Sequence, residues 1–164
     1  GTRDLQNPGF QVAIGEQRSQ GFELDVTGEV APGWKVMAGY GYTDAEIVKD
    51  NNVTPGKIPP NVPRNAASLW TSYEFQGGDF KGLGFGLGAY HVGERQGDAN
   101  NTFQVPAYTR IDAAVFYKLQ KGVTARLNVY NLADRDILLN PTRAPFFKPD
   151  APRNFLATLE WKFF

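Results

Sequence analysis

Three groups of residues in this 164-residue sequence have types and spacing that chemistry could use. The first is "GLGFGLGAY", in which Gly84, Gly86 and Ala89 satisfy the dinucleotide-binding pattern G-x-G-x-x-G/A. That pattern works only at a strand-to-helix turn, where a helix N-terminus meets the pyrophosphate. Here the glycines continue at period two with no helix pattern after them, so they read as small residues on one face of a strand, where glycine marks close approach of other backbone. The second group is the single histidine, His91, with the carboxylates Glu23, Asp25, Glu29, Asp112 and Glu160. A catalytic histidine needs a nucleophile and an orienting group within reach, and no spacing supplies them. The carboxylates could pair for acid–base work, but they recur evenly, together with Arg110, Arg126 and Lys162, along alternating segments. That distribution points to a wetted, salt-bridged wall. No catalytic residue is assigned, and no cluster has the ligand spacing of a zinc or EF-hand site. The third group, Phe146 and Phe147 beside Arg143 and Lys148, could cradle a ligand that has both apolar and anionic faces. Packing between neighbouring loops explains the same four residues equally well.

Composition narrows what such residues can serve. Seventeen Lys+Arg balance seventeen Asp+Glu, which removes the electrostatic basis for nucleic-acid binding. The absence of cysteine excludes a disulfide scaffold and thiolate metal sites, and suits either a reducing cytoplasm or an envelope protein. No stretch approaches the roughly 20 apolar residues of a membrane helix. The opening "GTRDLQNPGF" lacks the pattern of a signal peptide; an envelope protein with this sequence is expected to have lost its beginning.

The elements that must position these residues are strands. Period-two alternation recurs between Gly, Pro, Asn and Asp boundaries. Phe22, Leu24 and Val26 oppose Glu23, Asp25 and Thr27; Trp34, Val36, Ala38, Tyr40 and Tyr42 oppose Lys35, Gly39, Gly41 and Thr43. The same holds for Leu83 to Ala89, Ile111 to Leu119 and Val123 to Val129, and for Phe155, Ala157, Leu159, Trp161 and Phe163 against Asn154, Thr158, Glu160 and Lys162. Seven strands are expected, near 18–30, 34–47, 64–75, 83–95, 107–119, 122–132 and 153–164. Most suit the ~9 to 11 residues that a tilted strand needs to cross a bilayer.

The connections sort by length. Those at 31–33, 76–82 and 120–122 are short, whereas 48–63, 96–105 and 133–152 are long and polar or proline-rich. This is the asymmetry of an outer-membrane barrel, with periplasmic turns and extracellular loops. Placing the turns on one side brings Trp34, Phe75, Tyr117 and Trp161 to one level as an aromatic girdle. A soluble β-sandwich or small barrel is the competing fold, with the apolar series facing a core.

Six stretches, "GEQRSQGFELDVTGEVAPGW", "AGYGYTDAEI", "VPRNAASLWTSYEF", "VPAYTRIDAAVFYKL", "LNVYNLADRD" and "APRNFLATLEWKFF", together resemble the C-terminal barrel region of TonB-dependent siderophore receptors of the ferrichrome and hydroxamate type. The resemblance implies an all-β, antiparallel, up-and-down transmembrane barrel of 22 strands, of which residues 1–164 form about the last seven. The plug domain would be absent from this chain. It further implies a non-enzymatic receptor-transporter for a ferric siderophore, energised by the TonB complex. Fe(III) would be carried within the siderophore, and the protein would need no cofactor of its own. A passive, porin-like channel is the alternative function. Implied surroundings are the outer membrane of a Gram-negative-type bacterium, its lipid and lipopolysaccharide. The C-terminus would lie on the periplasmic side, and the last strand would be read by the barrel assembly machinery. Asp150 stands where the family commonly has Gly before "APR", which should alter the final loop's turn, and Phe164 extends one residue past the usual terminal aromatic. A seven-stranded piece has two open edges, so the isolated chain is expected not to function alone.

Overall fold

The structure is a computed structural model that describes residues 2–3, 8–12, 15–119, 122–143 and 146–162, with the backbone alone described at 2, 3, 11, 12, 140–143, 146 and 147. Phe163 and Phe164 lie outside the described residues. Seven antiparallel strands form one sheet: β1 (Gly15–Ala31), β2 (Trp34–Asp50), β3 (Asn65–Glu74), β4 (Leu83–Val92), β5 (Tyr108–Lys118), β6 (Val123–Tyr130) and β7 (Asn154–Trp161). Each pairs with its neighbours in sequence, so β1 and β7 are the two edges of an open up-and-down meander. β1 and β2 are longer than expected, at 17 residues each. β3 begins at Asn65, opposite Tyr42; beyond that point β1 and β2 continue as a two-stranded ribbon that a bilayer crossing does not require.

Register carries the alternation across every strand. Val26 lies opposite Ala38, Ala38 opposite Leu69, Leu69 opposite Ala89 and Ala89 opposite Ile111. Further along, Ala113 lies opposite Val129 and Val129 opposite Phe155. The seven apolar series therefore merge into one face. That face is open: Phe22, Leu24, Phe155, Leu159 and Trp161 all expose more than half of their surface. The buried apolar residues lie elsewhere, at Ala45, Ile47, Val105, Ala114 and Ile137. No second sheet of the described residues covers the apolar face, as the sandwich alternative requires. A continuous apolar surface of this extent needs lipid or an equivalent cover.

Aromatic side chains collect beside the short turns. Trp34 lies opposite Tyr73, Tyr117 opposite Leu83 and Trp161 opposite Val123, each within a few residues of such a turn. Phe75 meets Tyr73 edge-on at 5.2 Å and lies 5.8 Å from Phe80 and 6.5 Å from Phe85. The indole Nε1 of Trp34 donates to Thr71 Oγ1 at 2.8 Å, satisfying the one polar atom of the ring. The first turn is tied down by Glu29, whose Oε1 accepts from the Gly33 N–H at 2.8 Å. Gly33 has φ 79, which glycine adopts at no steric cost.

On the polar face the glycines of β4 have a different role from the one their spacing alone indicates. Gly84, Gly86 and Gly88 are buried inside the strand, with no turn or helix for a nucleotide. What approaches them is aromatic side chain, not backbone. The indole of Trp70 lies over Gly86 and Gly88, and the ring of Phe116 lies over Gly84; a Cβ placed on Gly88 would sit 2.6 Å from Trp70 Cε3. The rings lie down along the wall because the glycine row leaves them a trough. Gly88→Val in the intact protein should cost about 1 to 3 kcal/mol by overpacking. Combining it with Trp70→Ala should cost clearly less than the sum of the two single changes, read from urea unfolding.

Candidate functional site

The three long connections converge beyond the polar face at one end of the sheet, and buried polar side chains tie them together. Arg110 on β5 is the first anchor. Its NH2 lies 3.1 Å from Asp112 Oδ2, its NH1 lies 3.4 Å from Asp150 Oδ2, and its guanidinium stacks 5.2 Å from the centre of the Tyr90 ring. Asp112 is only 3% exposed, because its Oδ1 also accepts from the backbone N–H of Asn131 at 2.9 Å. The salt-bridged wall expected of these residues is therefore present at Arg110 and Asp112, but the carboxylate there is covered by a loop and not wetted. At the other end of the wall, Glu74 pairs with Lys118 at 2.6 Å, and Arg126 lies over the Phe116 ring at 5.2 Å.

Asn131 organises the last loop. Its backbone adopts φ 53, a left-handed conformation that Asn tolerates better than most residues. Its side chain accepts from Arg135 N at 3.0 Å and donates to Arg135 O at 2.8 Å. Asp134 receives the backbone N–H of Arg153 at 2.8 Å. Asp150 closes the loop: its Oδ1 accepts from Ala151 N and its own N–H donates to Ile137 O, both at 2.8 Å. The expected change in this turn thus takes a definite form, since a carboxylate at this position both closes the turn and holds Arg110.

From this stapled base a hairpin projects, with strands Leu138–Arg143 and Phe146–Pro149. It carries all four residues singled out from sequence. Arg143 lies opposite Phe146, Phe147 opposite Pro141 and Lys148 opposite Asn140. Lys148 is exposed; the side chains of Arg143, Phe146 and Phe147 lie outside the described part.

The first and second loops are joined through Asn101, at φ 56. Its side chain accepts from Ile58 N at 2.9 Å and donates to Ile58 O at 2.8 Å. Between these loops is a polar cleft of about 360 Å³ lined by Thr43, Asp44, Ile58, Arg64, Gln96 and Gln104. His91 belongs to the opposite, apolar face. There its Nδ1 meets Thr109 Oγ1 at 2.9 Å at the loop end of β4, with no carboxylate of the described residues bonded to it. Among the described residues no three His, Cys, Asp or Glu side chains group as metal ligands. Among the described residues the loops are tied to one another by side-chain hydrogen bonds, and His91 has only Thr109 as a side-chain partner.

Arg95, Asn101, Asn131 and Trp70 were not visible as site or wall residues from spacing. A clue does exist for the asparagines, in their Asn- and Asp-rich loop contexts.

An open antiparallel meander with an uncovered apolar face, short turns at one end and interlocked long loops at the other is the wall of an outer-membrane β-barrel. A family model described as "TonB dependent receptor-like, beta-barrel" matches residues 2–132. The chain belongs to this family. It is 38% identical over 159 residues to the "Metal-pseudopaline receptor CntO" of Pseudomonas aeruginosa, covering 96% of this chain and 22% of that protein. It is 34% identical over 164 residues to the "Ferrichrome outer membrane transporter/phage receptor" of Escherichia coli, covering 98% of this chain and 22% of that protein. Among solved structures, the siderophore receptor PiuA of Acinetobacter baumannii superposes with a TM-score of 0.78 at 32% identity, covering 88% of this chain and 22% of that one. The ferric preacinetobactin receptor BauA of the same organism gives 0.79 at 29% identity, with 90% and 22% covered. The chain spans about a fifth of the length of the relatives it matches.

Asn131→Ala should release the base of the last loop. It removes the hydrogen bonds to Arg135 and puts a residue less tolerant of positive φ at φ 53, a cost of about 2 to 3 kcal/mol. Faster hydrogen exchange at Arg135 with unchanged exchange in β5 and β6 is the expected reading. In the second loop, Asp98 holds its carboxyl below the ordinary aspartate value, because the Thr102 hydroxyl and then the Thr102 N–H donate to it. The turn it stabilises should be fully formed above the ordinary carboxylate pKa and lost as pH falls through the lower folded value. The Thr102 amide resonance should report that transition, and Asp98→Asn should abolish it.

Proposed function

We propose that this chain is the C-terminal part, about seven strands, of the 22-stranded barrel of an outer-membrane receptor-transporter for ferric siderophores. The observation that carries the reading is its likeness, along almost its whole length, to proteins named as a metal-pseudopaline receptor, a ferrichrome transporter and a ferrioxamine B receptor. The interlocked loops at one end of the sheet suit capture of a bulky ligand. In this reading the short turns and the C-terminus face the periplasm, the long loops face outward, and the apolar face meets lipid and lipopolysaccharide. Residues outside this chain supply the plug and the segment that engages the TonB complex, and β7 presents the signal for the assembly machinery. Fe(III) enters as cargo inside its chelator and is not ligated by the barrel.

The hairpin residues Arg143, Phe146, Phe147 and Lys148 are the proposed ligand contacts in this part of the barrel. Rings and cations on one short hairpin can hold the apolar framework and the anionic groups of a ferric chelate together.

Titration of the intact protein with ferrichrome and with a ferric catecholate should quench its tryptophan and tyrosine emission for at least one of them. The Phe146→Ala, Phe147→Ala double variant should weaken that binding about tenfold, the equivalent of ~1.4 kcal/mol. Absence of quenching by either probe, with free passage of small solutes through the protein in liposomes, would establish the pore instead.

A further inference from the structure

Arg95 is the most buried cation of the described residues, at 5% exposed, and it sits where the three loops meet. It begins the two-residue strand Arg95–Gln96, which pairs with Gln104–Val105 and so belongs to the second loop. Its guanidinium leaves that loop in both directions. NH1 donates to Leu139 O at 2.6 Å and NH2 donates to Leu138 O at 2.8 Å, both at the root of the 138–149 hairpin. NH1 also lies 3.3 Å from Asn61 Oδ1 in the first loop, and Asn61 N donates back to Gln96 O at 2.8 Å. The ring of Tyr108 lies 5.4 Å from the guanidinium carbon. The partners are carbonyl and amide oxygens; among the described residues Arg95 forms no ion pair with a carboxylate, and its Nε is buried without a partner.

A lone ion buried for stability alone would be expected to have a counter-charge. Arg95 instead spends its planar fork on two consecutive carbonyls of one strand. Two adjacent donors held in a fixed plane determine both the position and the orientation of the backbone they grip, whereas a single point donor leaves rotation free. The hairpin root stands outside the seven-stranded sheet and its register shifts between Leu138 and Asn140, so its placement against the second loop comes from this side chain.

We infer that Arg95 is a positioning residue for ligand recognition: it registers the 138–149 hairpin against the first and second loops, so that the three loops act on a ligand as one body. This rests on the siderophore-receptor reading for its ligand part and on the hydrogen bonds above for its mechanical part. Arg95 touches no ligand in this account and acts only through the hairpin. Arg95→Lys retains the charge and most of the length but loses the fork; Arg95→Met retains the stem alone.

Both variants should be made in the intact protein and compared with Lys81→Ala, a change in an exposed short turn. Hydrogen exchange should accelerate at least tenfold in 138–150, including the Asp150 amide, in both Arg95 variants, with β3 to β6 unchanged. Affinity for the ferric probe that binds the unaltered protein should fall about tenfold, mainly through faster dissociation, and Lys81→Ala should change neither. Should the methionine variant fail to assemble, the lysine variant decides alone. Unchanged exchange in the hairpin overturns the inference, as does a loosened hairpin with unchanged affinity. If the unaltered protein binds neither ferrichrome nor a ferric catecholate, the receptor reading fails, and the exchange measurement still decides whether Arg95 holds the hairpin.

Discussion

Everything in this molecule depends on backbone register. In a sheet whose side-chain period is two, a slip of one residue between neighbours would move a whole apolar series to the wrong face. In hydrocarbon it would also strand peptide groups that have no water to turn to. Six successive pairings keep Phe22, Leu24 and Val26 on the same face as Leu159 and Trp161, six strands away. The result is a wall rather than a domain in the ordinary sense: its large apolar side chains are exposed, and its few buried ones lie beneath loops or on the polar face. The usual inside-out logic of a soluble core does not apply, because the solvent for one face is lipid.

Where the pairing stops, another means of satisfying the backbone has to begin. The long connections contain left-handed Asn61, Asn101, Asn131 and Asp134, and their peptide groups find partners in side chains. Asn101 closes on Ile58, Asn131 closes on Arg135, Asp150 closes on Ala151, and Arg95 grips Leu138 and Leu139. Each contact gives a loop peptide group a partner where no neighbouring strand supplies one. Together they make a braced platform from three segments that lie outside the seven-stranded sheet. A hairpin carried on such a platform has less ordering left to undergo than a free loop, which is what the proposed ligand contacts would use.

The polar face shows a related economy. Trp70 and Phe116 point away from lipid, yet large rings standing upright would obstruct whatever occupies the interior. The glycine row of β4 gives them room to lie along the wall, and Arg126 stacks on the Phe116 ring. Backbone freedom given up at three glycines is exchanged for a smooth wall.

Alternation alone was enough to place all seven strands and assign their faces, since period two is a local property readable a few residues at a time. The long-loop and short-turn sides were legible for the same reason. The ribbon extension of β1 and β2 was not, because it starts at Tyr42, where the pairing with β3 stops at Asn65, a partner 20 or more residues away. Nor was the role of Gly86 and Gly88, whose neighbour Trp70 belongs to another strand. The hairpin residues Arg143, Phe146, Phe147 and Lys148 could be picked out by type, but the side chains that hold their hairpin could not. Arg95 reaches across 34 residues to Asn61 and 44 to Leu139, and no periodicity links residues so far apart. The sequence by itself therefore determined the strands and their faces, because these follow from hydrogen bonding and burial between adjacent segments. Only the tertiary structure decided how the loops are braced and which buried cation braces them, because such contacts exist only once distant parts of the chain have been brought together.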